Sequence, residues 1–134
     1  MLDLLLEHQI VSGPRDQLIE QEVPQLFFPH GVGHLIGIQV HDVAGYAKND
    51  AGDQEPPQET NKYLRLTRPL EKGMACTIEP GLYFIPVILD PERNSERGKQ
   101  LNWDLIDQLI PHGGIRVEDD VVVGEDAPIN LSRK

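Results

Sequence analysis

The stretch PHGVGHLIGIQVHD, residues 29–42, holds three of the chain's five histidines within fourteen positions. His30, His34 and His41 stand among glycines and an apolar run, where neither a surface loop nor a hydrophobic core calls for imidazoles. Imidazole is a common ligand for divalent transition metals, and carboxylates join it where the ion is hard. The glycines at 31 and 33 let the backbone bend or approach a neighbour closely. Residues 35–40 read as a strand, in which His34 and His41, seven positions apart, point to opposite faces. They reach one site only if the chain bends or bulges between them. Taken alone, each histidine is more often a hydrogen-bonded structural residue than a ligand.

Two further stretches supply carboxylates. In MACTIEPG, residues 74–81, Glu79 closes an apolar strand just before Pro80 and Gly81. Alternation puts Ala75, Thr77 and Glu79 on one face, with Cys76 and Ile78 on the other. A carboxylate at the end of such a strand is costly unless it is paired or bound. In GGIRVEDDVVV, residues 113–123, Arg116, Glu118 and Asp120 share a face opposite Ile115 and Val117. Arg116 is placed to hold the Glu118 carboxylate in a fixed orientation. The bland reading of both acids is a strand-end charge facing water. No short-range ligand spacing joins residues 34, 79 and 118, so periodicity alone does not bring them together.

Composition narrows the function classes. The net charge of −10 argues against a nucleic-acid backbone as partner, which needs clustered Lys and Arg, and against an anionic membrane surface. One cysteine, Cys76, excludes an internal disulfide and any Cys-rich zinc module. No apolar run reaches eighteen residues, and the opening MLDLLLEHQIV lacks the basic start and cleavage site of a signal peptide. A reducing cytoplasm is the expected compartment.

The rest of the chain reads as short elements. Leu2, Leu5, Leu6 and Ile10 have helical spacing, stopped at Gly13-Pro14. Residues 15–23 form a second short helix ended by Pro24, and residues 42–60 are loop-like, with the composition of a disordered surface loop. Strands are expected at 74–78, 82–89 and 115–123, a charged loop at 90–100, and a helix at 102–110 with Trp103, Ile106 and Ile110 on one stripe.

In this order, HGVGH…VHD, TIEPGLY and GIRVEDDVVV resemble the C-terminal half of the pita-bread metallopeptidases, the family of methionine aminopeptidase, aminopeptidase P, creatinase and prolidase. The wording HGVGHLIGIQVHDVAGY, with YLRLTR and HGGIRVEDD, is most similar to bacterial prolidases (Xaa-Pro dipeptidases) and to the related organophosphorus acid anhydrolases. The resemblance runs over about residues 1–130. It implies an α+β fold, the C-terminal half of a curved, mostly antiparallel sheet with flanking helices. By the same resemblance His34 is a metal ligand, Glu79 a terminal carboxylate ligand and proton carrier, and Glu118 the carboxylate bridging two divalent ions, typically manganese in prolidases. His41 contacts substrate and steadies the tetrahedral intermediate. His30 supports the pocket, and Arg65, preferred over Arg68, clamps the dipeptide's C-terminal carboxylate.

The chain departs from that pattern. The family's two upstream aspartates, in segments resembling DxG and SDxTRT, have no counterpart before His34. Residues 1–134 are therefore expected to be the C-terminal part of the catalytic domain, with three of five ligands, an exposed sheet edge and little activity alone. The expected whole protein is a homodimeric hydrolase of Xaa-Pro dipeptides, with phosphotriesters as further substrates. Its alternatives are an aminopeptidase P-type enzyme and a non-catalytic pita-bread binding module.

Overall fold

The structure, a computed structural model, describes residues 1–133 apart from the Thr60 side chain. The chain divides into two compact units, residues 1–29 with 81–116, and residues 30–80 with 117–134.

The first unit is built on helices. Helix α1 (Leu2–Glu7) buries Leu2 and Leu5, and α2 (Arg15–Glu20) buries Leu18. Gly13 takes a positive φ between them, at the turn expected from Gly13-Pro14. Pro24 does not stop a helix. It opens a 3-10 turn over Val23–Leu26, where its missing N–H costs nothing. The anticipated strand at 82–89 splits in the same way. Strand β2 (Gly81–Tyr83) pairs antiparallel with β3 (Gly114–Arg116), and Pro86 then starts α3 (Pro86–Leu89). Helix α4 (Trp103–Leu109) is capped by Asn102, whose side-chain oxygen accepts from Leu105 N–H. The core holds Leu5, Val11, Leu18, Val23, Phe27, Leu89 and Ile106, each at most 2% exposed, with Phe27 edge-on to Phe84.

The charged segment expected as loop at 90–100 is two 3-10 turns pinned by polar bonds. Arg97 bonds Glu92 at 2.5 Å and the Gln21 carbonyl at 3.2 Å, and Ser95 donates to Glu92 at 2.6 Å. The Arg97 guanidinium holds the Glu92 carboxyl at about 2, below its ordinary 4.5. The folded state thus favours the ionised form, so the contribution is complete above pH 4.5 and disappears as pH falls toward 2. Glu92→Gln should lower stability by about 1–2 kcal/mol at pH 7, after discounting for the partly exposed Arg97. Urea titrations from pH 7 to pH 2 check this, the gap between variant and wild type closing on the acid side.

The second unit is a sheet with a polar interior. Strand β1 (Ala75–Ile78) pairs antiparallel with β4 (Asp119–Val122), and β4 with β5 (Ile129–Asn130). The strand anticipated at 115–123 is broken at Val117 and Glu118, where the chain passes from β3 to β4. On the other edge of β1, residues 32–36 lie antiparallel in short ladder form. Ile36 N–H donates to Ala75 O, Thr77 N–H to His34 O and Glu79 N–H to Val32 O, at 2.7–2.9 Å. The strand expected at 35–40 ends there. Asp42 N–H turns back to Leu35 O, and Gly37 N–H bonds Gln39 O. Ile38 and Val40 are therefore exposed, although their alternation resembles a strand. The 42–60 segment is an ordered loop, with a 3-10 turn at Val43–Tyr46 capped by Asp42 and a bridge between Ala47 and Gln54. Beside the apolar Leu35, Ala47 and Cys76, this unit buries His34, Thr77 and Glu79. Burial raises the Cys76 thiol pKa, as suits a core residue. Val32, Ile78, Val117 and Ile129 are exposed.

Candidate metal centre

The register of the second unit explains why residues far apart in sequence meet. Ile78 faces Asp119, and Val117 N–H donates to Pro80 O at 3.1 Å, so the same register sets Glu79 directly across from Glu118. Backbone bonds fall at 78/119 and 80/117, which makes 79/118 a non-hydrogen-bonded pair, the closer kind, with Cα atoms roughly 4.5 Å apart. Two carboxylates in that relation repel unless a cation lies between them. On the other side of β1, His34 sits opposite Thr77 and projects to the same face. One ligand atom each from His34, Glu79 and Glu118 lies within 4.8 Å of the others.

His34 is oriented for coordination. Its Nδ1 lies 3.0 Å from Leu35 O, which can only accept, so Nδ1 carries a proton and Nε2 is the ring nitrogen turned toward the carboxylates. That Nε2 is 3.3 Å from Glu79 Oε1, and both side chains are at least nine-tenths buried. An imidazole nitrogen and two carboxylates form a donor set suited to a divalent ion. The group fits the residues present.

The bend after Leu35 brings His41 to His34, with ring centroids 4.5 Å apart at 82°. The opposition of faces that a regular strand would impose is thereby removed. His41 is exposed, whereas His30 is half-buried with Nδ1 2.7 Å from Gly31 O. The Arg65 backbone packs against the glycines of this loop, since a Cβ on Gly45 would stand 2.3 Å from Arg65 O. The Arg65 side chain is exposed, whereas Arg68 is held by Asp50 at 2.7 Å and Glu71 at 3.3 Å. Arg116 belongs to the other unit, where its Nε donates to the Tyr83 hydroxyl at 2.6 Å.

One residue of this centre had no role assigned from the sequence. Thr77 is 2% exposed and bonds both His34 and Glu79. The signal for it was the parity that puts Thr77 on the face of Glu79.

The chain is 44% identical over 131 residues to a Xaa-Pro dipeptidase of Shewanella oneidensis, covering 98% of this chain and 30% of that protein. It is 46% identical over 133 residues to a Xaa-Pro dipeptidase of Xanthomonas campestris pv. campestris, covering 99% of this chain and 30% of the relative. Thus it spans about a third of the length of the relatives it matches. Among solved structures it is similar to Escherichia coli aminopeptidase P with the inhibitor Pro-Leu, at TM-score 0.61 and 33% identity over 98% of this chain and 23% of the other. Proline aminopeptidase P II from Yersinia pestis gives a TM-score of 0.57 at 32% identity, over 96% of this chain and 22% of the other. These neighbours agree with the expected α+β fold of pita-bread type. The description of metallopeptidase family M24 matches residues 8–125, and with that span, most of the chain, the protein belongs to this family.

Proposed function

We propose that residues 1–134 form the C-terminal part of the catalytic domain of a Xaa-Pro dipeptidase, a hydrolase of dipeptides with proline at the C-terminal position. The observation that carries this reading is the convergence of His34, Glu79 and Glu118 on one sheet face, with two carboxylates directly opposed. His34, Glu79 and Glu118 would hold divalent metal, Glu118 in the role of bridging carboxylate and manganese as the ion, both as the resemblance to prolidases implies. Divalent ions, when bound, supply a water of lowered pKa and a Lewis acid for the scissile carbonyl.

The remaining work falls to the chain's own groups. Glu79 takes the proton released by the attacking water and returns it to the departing amine. His41, edge-on to His34, donates to the oxygen on which negative charge develops. His30 lines the pocket. Arg65 receives the substrate carboxylate, a role open to it because Arg68 is held by Asp50 and Glu71. Three donors do not complete the coordination of two ions, so further ligands come from the upstream aspartates that the resemblance implies. The same water could attack an electrophilic phosphorus centre, which extends the reading to phosphotriesters. The whole protein is read as a homodimer working in the cytoplasm on small peptides, not on nucleic acid or membranes. No helix among the described residues is long and apolar enough to cross a membrane.

The purified chain with Mn2+ and Leu-Pro or Gly-Pro is expected to give little or no turnover. A hybrid tests the function itself. In it, this chain replaces the matching segment of the Shewanella oneidensis relative. Hydrolysis of Leu-Pro at a rate within about tenfold of the parent is expected, and an inert but folded hybrid would contradict the proposal. A second reading, an aminopeptidase P-type enzyme, is favoured by the structural likeness to the Escherichia coli protein. It predicts that the hybrid cleaves an Xaa-Pro tripeptide in preference to the dipeptide.

A further inference from the structure

We infer that Thr77 is a positioning residue for this centre, a single hydroxyl that locks the backbone at His34 and the carboxylate of Glu79 in one geometry. The inference rests on the metal-binding reading above.

At the pair formed by His34 and Thr77, a regular antiparallel ladder exchanges two backbone bonds. Only one is present as such, from Thr77 N–H to His34 O at 2.9 Å. In place of the other, His34 N–H donates to Thr77 Oγ1 at 3.0 Å. The same hydroxyl donates its proton to Glu79 Oε1 at 3.0 Å. The Thr77 carbonyl is pressed instead toward Gly33, where a Cβ would stand 2.0 Å from it. The ladder is therefore distorted at one point, and at that point a side chain substitutes for a carbonyl.

The consequence for the centre is geometric. Glu79 sits on the face it shares with Glu118 and needs a fixed rotamer, although its carboxylate is on a flexible stem. Thr77 is β-branched and stiff about χ1, and at 2% exposure its hydroxyl is shielded from water. A donor on a stiff buried stem holds Oε1 without competition from solvent. Because the acceptor lone pair of that donor is bound to the His34 amide, any displacement of Glu79 is felt at the segment carrying the imidazole. Groups that orient ligands in this way commonly govern metal affinity.

Thr77→Val removes the hydroxyl at nearly constant shape, and Thr77→Ser retains it. By isothermal titration of the 134-residue chain with Mn2+, Thr77→Val should weaken binding by about tenfold or more. Thr77→Ser should stay within about threefold of wild type. Amide hydrogen exchange without metal provides a second readout. In Thr77→Val the His34 amide loses protection, while the Thr77 and Glu79 amides keep theirs, since their acceptors are backbone carbonyls. If Thr77→Val does not fold by circular dichroism, Thr77→Ala takes its place against Thr77→Ser. A hydroxyl-free variant that folds and binds Mn2+ as tightly as wild type overturns the role of Thr77 alone. A wild-type chain that takes up no Mn2+ overturns the metal reading, and this role with it.

Discussion

Replacing Glu79 by glutamine should weaken Mn2+ binding by the 134-residue chain at least about a hundredfold, yet leave the metal-free chain as stable as before or slightly more so. The two effects have one cause. Glu79 faces Glu118 across a close, non-hydrogen-bonded pair, and its carboxylate is almost wholly buried. Without a cation, like charges so opposed destabilise the sheet by roughly 0.2–1 kcal/mol, and glutamine relieves that repulsion. The amide oxygen can still accept from Thr77, so the local bond that fixes the side chain survives. With the cation, the loss of a charged oxygen ligand dominates. An ion present at a hundred times its Kd adds about 2.7 kcal/mol to stability, an increment wild type should gain and Glu79→Gln should lack. Thermal melts with and without Mn2+ separate these contributions. A variant whose metal-free form is strongly destabilised would show that Glu79 acts as a structural ion-pair partner of His34 and not as a ligand held in repulsion.

Gly33→Ala should be strongly destabilising in the second unit, costing about 2–3 kcal/mol by the usual penalty for overpacking. Gly33 has an ordinary negative φ, so no backbone preference is at issue. The cost is steric, because the added Cβ would lie 2.0 Å from the Thr77 carbonyl oxygen and 3.1 Å from its carbon. Both are main-chain atoms of β1 and cannot turn aside. To admit the methyl, residues 32–36 must move off β1, which strains the bonds at His34 and Val32 and carries the imidazole away from Glu79. Gly52 supplies the contrast. It has φ +88° with nothing within 4 Å of a Cβ, so Gly52→Ala should cost only the backbone term, about 1 kcal/mol. Urea unfolding of both variants checks this. Equal midpoints would mean that the close approach at Gly33 is relieved at no cost.

Helices α1, α2 and α4 and strand β1 were legible because their signals are local. Leu2 and Leu5 fall on one helical face, and Ala75–Ile78 is an apolar run bounded by glycine and proline. Three errors came from treating apolar residues as evidence of strand. Residues 35–40 alternate correctly, yet the Asp42 and Gly37 turn bonds curl the chain and leave Ile38 in solvent. At 82–89 the run continued through Pro86, whose fixed φ suits the first turn of a helix. At 115–123 a single apolar stretch concealed the passage between two strand pairs. Of the centre, the ligand types could be read from the sequence, and their order matched a known family. Their meeting could not, since positions 34, 79 and 118 become neighbours only through the register of β1 with its two partners. Thr77 escaped for a related reason. Its role is a ladder defect, and defects leave no periodic trace.

The most direct test is a crystal of the 134-residue chain grown with Mn2+, with data collected at an energy where manganese scatters anomalously. The account predicts a peak roughly 2.0–2.3 Å from His34 Nε2 and from one oxygen each of Glu79 and Glu118. A fully loaded crystal with its only peaks away from those atoms, or with Glu118 turned from Glu79, would contradict it.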